Sequence, residues 1–401
     1  DWMVQVEIPL ANILTKSELK GIKIDRKRLT EIRDTLKLEI DSLQLRLHKL
    51  VSIYFKDTLF NPDSPKQLQE LLFVKLKIKP IKKTKTGQYS TDTSVLEKLA
   101  KNHAIPKLLL EYKEKKKILS TYTDSILDEL DSDDRIHGTF NQCGTATRRF
   151  SSSDPNLQNI PVKSAIGKEI RKCFIADKGY KFWDYDLNQI ELRLLAHFSK
   201  DPALIKWFKD GEDIHQKTAD LISKRLNKPF DRSKGKLLNF SILYGKTAYG
   251  FAKDWNTTEE VAQEIINAWF FVLPKVKEWM ENQVRETRKG QGWTKSLAGL
   301  PLFVDGLFSC KSWEREHSER MAVNYPIQAS SQDVLKQIVV KIYKELDIYP
   351  ILFVHDQIVF EVPDKWIRQK DQINGIIESV VKLEVPVLAS FKESKYWSKD
   401  E

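Results

Sequence analysis

Residues 183–197 read WDYDLNQIELRLLAH, and the period of the pattern changes in the middle of them. Strand side chains alternate with period two, so Asp184 and Asp186 share one face of a strand over Lys181 to Asp186. From Asn188 the spacing becomes helical: Asn188 and Glu191 fit a capping box, and Ile190, Leu194 and His197 recur at threes and fours. A polar site therefore sits where a strand meets a helix. Taken alone, the stretch is open to two readings: turn acids followed by a capping glutamate, or a carboxylate site.

A second acidic stretch bears on the choice. Ile351 to Val362, ILFVHDQIVFEV, closed by Pro363, is two β-branched and aromatic runs separated only by His355, Asp356 and Gln357, which reads as a hairpin. One Asp in a turn is ordinary. Asp356 set beside Asp186 is a pair that could hold two divalent cations about 3.5–4 Å apart, the arrangement that clamps the attacking and leaving oxygens in phosphoryl transfer. Mg²⁺ suits it, because that ion keeps several waters and needs only one or two carboxylates plus substrate phosphates; Mn²⁺ is the expected substitute.

The composition agrees with a polyanionic partner. The chain has 401 residues with 66 Lys and Arg against 56 Asp and Glu, a formal net charge of +10. It is long enough for two or three subdomains with real cores, and its positive balance favours nucleic acid. Cys143, Cys173 and Cys310 are too few and scattered for a disulfide framework or zinc site, which fits a reducing, intracellular setting. No apolar run has the length of a membrane span, so no membrane partner is expected. The chain opens at Asp1 without an initiator Met and reads as part of something longer.

On the N-terminal side of the central stretch, residues 1–28 read as a short extended lead with a Gly turn. Leu29 to Phe55 carries Ile32, Leu36, Ile40, Leu43, Leu47, Leu50 and Tyr54, a long amphipathic helix. Its expected partner is Ile105 to Leu130, broken near Ser120; together they form a helical arm. Between them lie a helix start at Ser64-Pro65 and Lys75 to Thr86, KLKIKPIKKTKT, with six Lys and no acid. That run is either a solvated face or a phosphate contact at the tip of the arm. Cys143 to Pro161, CGTATRRFSSSDPNLQNIP, is loop-rich, and its guanidinium and amide groups suit either turns or contacts to phosphates and minor-groove acceptors.

On the C-terminal side, Asp201 to Asn227 reads as helices and includes His215, which alone is a packing residue more often than a ligand. In Arg232 to Gly245, RSKGKLLNFSILYG, the residues Arg232, Lys236, Phe240 and Tyr244 are four apart. On a helix each is turned only about 40° from the last, giving a stripe that begins cationic and ends aromatic. Such a stripe could grip a triphosphate and stack a base; the alternative is a core helix with two snorkelling cations. Gly235 inside it costs roughly 1 kcal/mol against Ala and hints at close approach or bending. Residues 292–345 are expected to be helical, interrupted at Pro326, with Arg320, Asn324 and Gln328 again four apart. An amphipathic helix over Lys365 to Leu383 and a closing strand, VPVLASF, complete the chain.

Four tracts in order resemble the polymerase region of family A DNA polymerases, the DNA polymerase I group. They are TATRRFSSSDPNLQNIP, DLNQIELR, the RxxxKxxxFxxxYG pattern of RSKGKLLNFSILYG, and HDQ; VEIPL, FNPDSPKQL, KTKTG, STY and GEDIH are similar to further landmarks. The resemblance covers essentially the whole chain. It implies an α+β, multidomain right-hand polymerase fold, with an antiparallel palm sheet and helical fingers and thumb. The expected division is an opening segment on the palm (1–28), thumb (29–130), palm (131–200), fingers (201–300) and palm again (301–401).

The resemblance further implies roles. Asp186, the backbone carbonyl of Leu187, and Asp356 would hold two Mg²⁺. Arg232 and Lys236 would bind the triphosphate, Lys236 also as general acid. Phe240 and Tyr244 would line the nascent base pair, Gln189 and His215 would support the nucleotide, and Glu191 would sit against the sugar. Arg149, Asn156, Gln158, Asn159, Arg320, Asn324, Gln328 and His355 would hold primer-template DNA, joined by Lys82, Lys83, Lys85, Ser120 and Thr121. The implied activity is template-directed addition of deoxynucleoside triphosphates to a primer, by a monomer. The exonuclease domain that would precede residue 1 has no counterpart in these residues, so no proofreading is expected from them.

The sequence also departs from the family pattern. Leu187 and Asn188 stand where Tyr and Ser are usual, Arg148 where Gly is common, and Gln357 where a Glu normally follows the catalytic Asp. Two other functions fit the same hand: a polymerase that makes RNA or copies RNA templates, and a DNA-binding paralogue with a dead site. The latter would have lost Asp186, Asp356 or Lys236, and all three are present.

Overall fold

Aromatic and apolar residues at alternate positions bury one face of Tyr180–Leu187 in a computed structural model that describes residues 1–55, 60–161 and 164–397. This strand lies inside a four-stranded antiparallel sheet ordered Ala389–Ser394, Tyr180–Leu187, Gln357–Pro363, Pro350–Val354. Trp183 and Tyr185 are buried against Phe391, with ring centroids 5.8 and 5.1 Å away. Asp184 and Asp186 consequently project from the opposite face. The register sets Asp186 opposite Gln357 on one neighbour and Ser390 on the other. The expected hairpin is present, closed by His355 and Asp356, with His355 at φ 57°. Positive φ in so short a turn matches the right-handed twist of the strands it joins.

The described chain divides into two compact units. One comprises residues 1–21, 138–158 and 177–395 and contains this sheet. Its helices include Ile190–Ser199, Ile214–Leu226, Arg232–Leu243 and Ser312–Leu346. The other comprises residues 22–137, 159–176 and the chain from Tyr396. There Arg26–Val51 and Ala104–Ile118 share a core of Ile40, Leu43, Leu47, Leu109 and Tyr112. A small sheet orders Arg135–Ile136, Ile22–Ile24 and Phe174–Ile175 in the same unit.

Several sequence expectations change here. Residues 3–20 are helical rather than extended, because Leu10, Ile13, Leu14 and Ser17 form one buried face; Pro9 falls where the widened helical stretch Met3–Glu7 passes into Ile8–Lys20. The long helix ends at Val51, which is buried, and Leu50 is exposed. The expected break near Ser120 is a widened π-helical stretch, Leu119–Asp124, between Ala104–Ile118 and Ser125–Asp128. Trp293–Lys295 and Pro301–Phe303 form a hairpin, not a helix. Pro326 does not interrupt Ser312–Leu346; small side chains at Ala322, Ala329, Ser330 and Ser331 surround it, and Ser330 Oγ donates to the Pro326 carbonyl. The last helix is shorter than expected, Gln369–Ser379, and the closing strand is Ala389–Ser394.

Candidate active site

The two predicted acids come together at the end of the sheet where the central strand stops and the hairpin turns. Gln357 pairs with Asp186, and one residue further on the Leu187 N–H donates to the Asp356 carbonyl at 3.1 Å. The hairpin turn thus lies against the strand-to-helix joint. Burial, then the negative charges of Glu191 and Asp186, push the Asp356 carboxyl up to about 7, against the opposing pull of Arg149. Gln332 Nε2 donates to Asp356 Oδ1 at 3.4 Å. A buried carboxylate crowded by others is electrostatically incomplete, and a hard divalent cation with oxygen ligands is what would complete it. The donor set of Asp186, Asp356 and the Leu187 carbonyl therefore fits Mg²⁺. Among the described residues no group of three or more His, Cys, Asp or Glu side chains converges as a protein-only metal cage, and Mg²⁺ in phosphoryl-transfer sites does not require one.

Glu191 is not a cap. The helix Ile190–Ser199 starts from Gln189, which is left-handed at φ 51° and makes no side-chain cap bond, so neither half of the expected box forms. Glu191 instead is 3% exposed and accepts from Arg149 Nη2 at 2.5 Å and from the Tyr244 hydroxyl at 2.7 Å. Burial and the Glu191 charge raise the Tyr244 hydroxyl well above its usual range. Burial alone would lower Arg149, but Glu191 and Asp356 raise it. This one carboxylate joins the loop carrying Arg149, the end of the 232–243 helix and its own helix, Ile190–Ser199.

The four-spaced stripe is present, with its ends differently employed. Arg232 Nε pairs with Asp213 at 2.6 Å, and Asp213 also caps the Ile214–Leu226 helix through His215 N and Gln216 N at 2.9 and 3.1 Å. Lys236 is exposed. Phe240 and Tyr244 are near-parallel at 6.4 Å, and Phe240 lies 5.6 Å from the His215 ring. Gly235 is explained by close approach, since a Cβ there would come within 2.3 Å of the His215 carbonyl oxygen.

His215 is a packing residue, 2% exposed, bonded through Nδ1 to Asn239 at 3.1 Å and through Nε2 to Gln189 at 3.3 Å. Burial lowers it to about 4, helped by Arg232 and Lys236, so it is neutral at pH 7. Asn239 also bonds Thr218 and Trp269.

The predicted nucleic-acid residues fall into two sets. In the unit that holds the acids, Asn156 is exposed, and Gln158 Nε2 donates to the Phe353 carbonyl at 3.0 Å. Arg320, Asn324 and Gln328 lie along one face of the long helix. The Arg320 stem covers Gly245, and Asn324 Oδ1 is buried with no hydrogen-bond partner among the described residues. His355 sits at the hairpin turn. In the other unit, Asn159 is exposed and its carbonyl accepts from Tyr122 at 2.7 Å; Ser120 and Thr121 are exposed on the widened helical stretch. Lys83 and Lys85 are exposed, but Lys82 pairs with Asp92 at 2.7 Å, so the lysine run is not free of acids.

Sequence reasoning missed three contributors. Gln332 extends the stripe 320, 324, 328 by one more step of four, a signal that was available. Asn239 faces His215 from within the 232–243 helix, and nothing in the pattern marks it. The third is a buried ionic group: Arg148 pairs with Glu7 at 2.6 Å and Asp333 at 3.3 Å, while Lys336 reaches Glu7 at 3.0 Å. Arg148 stands at φ 61°, the left-handed region that favours Gly.

The sequence profile of DNA polymerase family A matches residues 26–399. The chain belongs to that family. It is 40% identical over 408 residues to the DNA polymerase I of Caldicellulosiruptor bescii, covering 98% of this chain and 46% of that protein. It is 37% identical over 400 residues to the thermostable DNA polymerase I of Thermus aquaticus, covering 96% of this chain and 47% of that protein. The chain therefore spans about half the length of the curated relatives it matches. Among solved structures, the POL domain of Pol1 from M. smegmatis, in complex with DNA primer-template and dNTP, superposes with a TM-score of 0.89 at 32% identity, over 98% of this chain and 70% of that one. The fold is accordingly the right-handed polymerase fold of family A, with the four-stranded sheet as its antiparallel core.

Proposed function

We propose that this chain is a DNA-templated DNA polymerase that adds deoxynucleoside triphosphates to a primer 3′ end and releases pyrophosphate. The observation that carries the reading is the Asp186–Asp356 pair, one acid on the central strand and the other in the turn of the adjoining hairpin, with Asp356 raised by burial and then by its negative neighbours. Two Mg²⁺ ions, when bound there, would supply charge stabilisation at the attacking and leaving oxygens. The chain's own residues do the positioning. Asp186, Asp356 and the Leu187 carbonyl hold the cation side. Lys236, exposed on the 232–243 helix, meets the triphosphate and donates a proton to the leaving pyrophosphate; Arg232 joins it on leaving Asp213. Phe240 and Tyr244 line the base pair, and Glu191 keeps Tyr244 and Arg149 in place beside the sugar. Arg149, Asn156, Gln158, Asn159, Arg320, Asn324, Gln328 and His355 hold the DNA near the primer end. Lys82, Lys83, Lys85, Ser120 and Thr121 hold its duplex.

On this reading residues 29–130 act as thumb, 201–300 as fingers, and 131–200 with 301–401 as palm, with residues 1–28 against the palm and the protein working as a monomer. Catalysis is then positioning plus electrostatics, with no covalent intermediate. Primer extension tests the proposal. Asp186→Ala and Asp356→Ala each abolish extension and leave primer-template binding, read by fluorescence anisotropy, within a few-fold of wild type. Near-normal turnover in Asp356→Ala refutes it.

A further inference from the structure

The acidic face of the central strand holds a hydrogen bond that the proposed mechanism does not use. Asp184 shares this face with Asp186, and Gln357, directly opposite Asp186, projects to the same side. Gln357 is 1% exposed, and its Nε2 donates to Asp184 Oδ2. An ionised carboxylate can only accept, so the bond fixes the amide: its NH₂ end faces Asp184, and Oε1 is turned elsewhere. That oxygen is buried without a hydrogen-bond partner among the described residues. The pattern occurs a second time at Gln332, which is fully buried, donates to Asp356, and also leaves its Oε1 buried without a partner among those residues. Buried acceptors are rarely left unpaired. Here both belong to amides whose other end is held by an acid at the same end of the sheet.

We propose that Asp184 is a positioning residue for the cation site: it orients Gln357 so that Oε1 accepts from the water shell of a divalent cation held by Asp186 and Asp356. This rests on reading that pair as a cation site. A magnesium ion that retains several waters needs acceptors for their hydrogens as much as it needs direct ligands. Position 357 then contributes a neutral dipole, while the charge sits two strand residues from Asp186, roughly 7 Å along the strand at 3.4 Å per residue. A carboxylate and an amide have in effect been placed on opposite strands, and the pair works only in one orientation.

The test is Mn²⁺ binding, read by electron paramagnetic resonance on the protein alone and on its complex with a dideoxy-terminated primer-template and the matching nucleotide. Asp184→Asn lets the Gln357 amide turn over and is expected to weaken Mn²⁺ binding by about tenfold, the lower end for loss of a partner that orients a metal's surroundings. The double variant Asp184→Asn with Gln357→Glu, which exchanges acid and amide between the strands, is expected to restore it. Wild-type affinity in a folded Asp184→Asn protein overturns the proposal, as does a folded double variant that binds no better than the single one. Should Asp184→Asn fail to fold, Gln357→Leu removes the same oxygen, and unchanged Mn²⁺ affinity there overturns it equally. A wild-type protein that binds Mn²⁺ through Asp186 and Asp356 yet extends no primer refutes the polymerase reading and leaves this one standing; a wild type that binds no Mn²⁺ in either form overturns both.

Discussion

Replacing Glu191 by Ala removes the acceptor for two donors at once. Arg149 and Tyr244 reach it at 2.5 and 2.7 Å, and Glu191 itself is 3% exposed, so water cannot easily take its place. Breaking a buried ion pair from one side typically costs about 3–5 kcal/mol, because the remaining charge stays buried and unpaired. Arg149 keeps some compensation from Asp356, which places the expected loss near the lower figure. Urea unfolding with an unchanged m-value would measure it. A second readout is independent of the first. Glu191 is the largest charge raising Asp356, whose folded pKa of about 7 lies above the ordinary 3.8. Between those values the native state binds the proton that the unfolded state has released, so this group makes stability fall as pH rises from about 4 to 7. Without Glu191 the folded pKa moves down and this fall becomes shallower. The comparison is the wild-type minus variant difference across that window, which cancels groups common to both. A variant that loses less than about 1 kcal/mol, the scale of an exposed pair, with an unchanged pH slope would falsify the account of Glu191 as the centre of this network.

Other outcomes follow from the same geometry. Lys236→Ala weakens nucleotide binding and slows single-turnover chemistry together, by about tenfold or more for removal of a charged hydrogen bond worth roughly 1.5–3 kcal/mol; unchanged kinetic constants with a lowered melting temperature would return it to a solvated helix residue. Replacing Lys83 and Lys85 by Ala flattens the salt dependence of duplex binding by about 0.9 for each phosphate that is no longer neutralised, whereas Lys82→Ala changes it less, since Lys82 is already paired with Asp92; equal effects from all three would contradict this. Gly235→Ala brings a methyl within 2.3 Å of the His215 carbonyl oxygen and is expected to cost about 1–3 kcal/mol through overpacking, despite the gain in helix propensity; a stabilised variant would show that the two helices separate freely. Glu191→Ala also raises the kcat/KM for ribonucleotides relative to deoxynucleotides, by about a hundredfold if the side chain excludes a 2′-hydroxyl, and a ratio that does not move would shift that role to Tyr244.

The elements legible in the sequence were those whose pattern is local. Period two gave the central strand and the hairpin, and spacing by four gave the stripe from Arg232 to Tyr244 and that from Arg320 to Gln328. What could not be read was the direction in which a polar side chain turns once buried. The spacing of Asn188 and Glu191 satisfies a capping box on paper, yet Gln189 adopts φ 51° and Glu191 turns inward to Arg149 and Tyr244. Two donors far apart in sequence outcompeted one backbone N–H nearby. His215 reads as packing from its own surroundings and as nucleotide support from the resemblance; the structure shows it buried and bonded to Asn239 and Gln189, partners that its sequence neighbours do not announce. The opening helix is hard to read from the sequence because its buried face, Leu10, Ile13, Leu14 and Ser17, is short and lies between Pro9 and Gly21.

Arg148 shows why a departure from a family pattern can be structurally cheap. A position that favours Gly because φ is positive penalises a larger side chain by about 1–2 kcal/mol, and Arg148 adopts φ 61° all the same. Its guanidinium, however, lies between Glu7 and Asp333, which are 5% and 0% exposed, with Lys336 bonded to the same Glu7. Two buried acids against one buried Lys would be a net negative charge in a low-dielectric place; with Arg148 the group is balanced. The backbone strain is thus offset by a charge that Gly could not provide. The balanced group fixes the residue next to Arg149, so the guanidinium that reaches Glu191 is anchored at its own backbone. The substitution at 148 and the network around Glu191 are therefore one arrangement, joined through a single peptide bond.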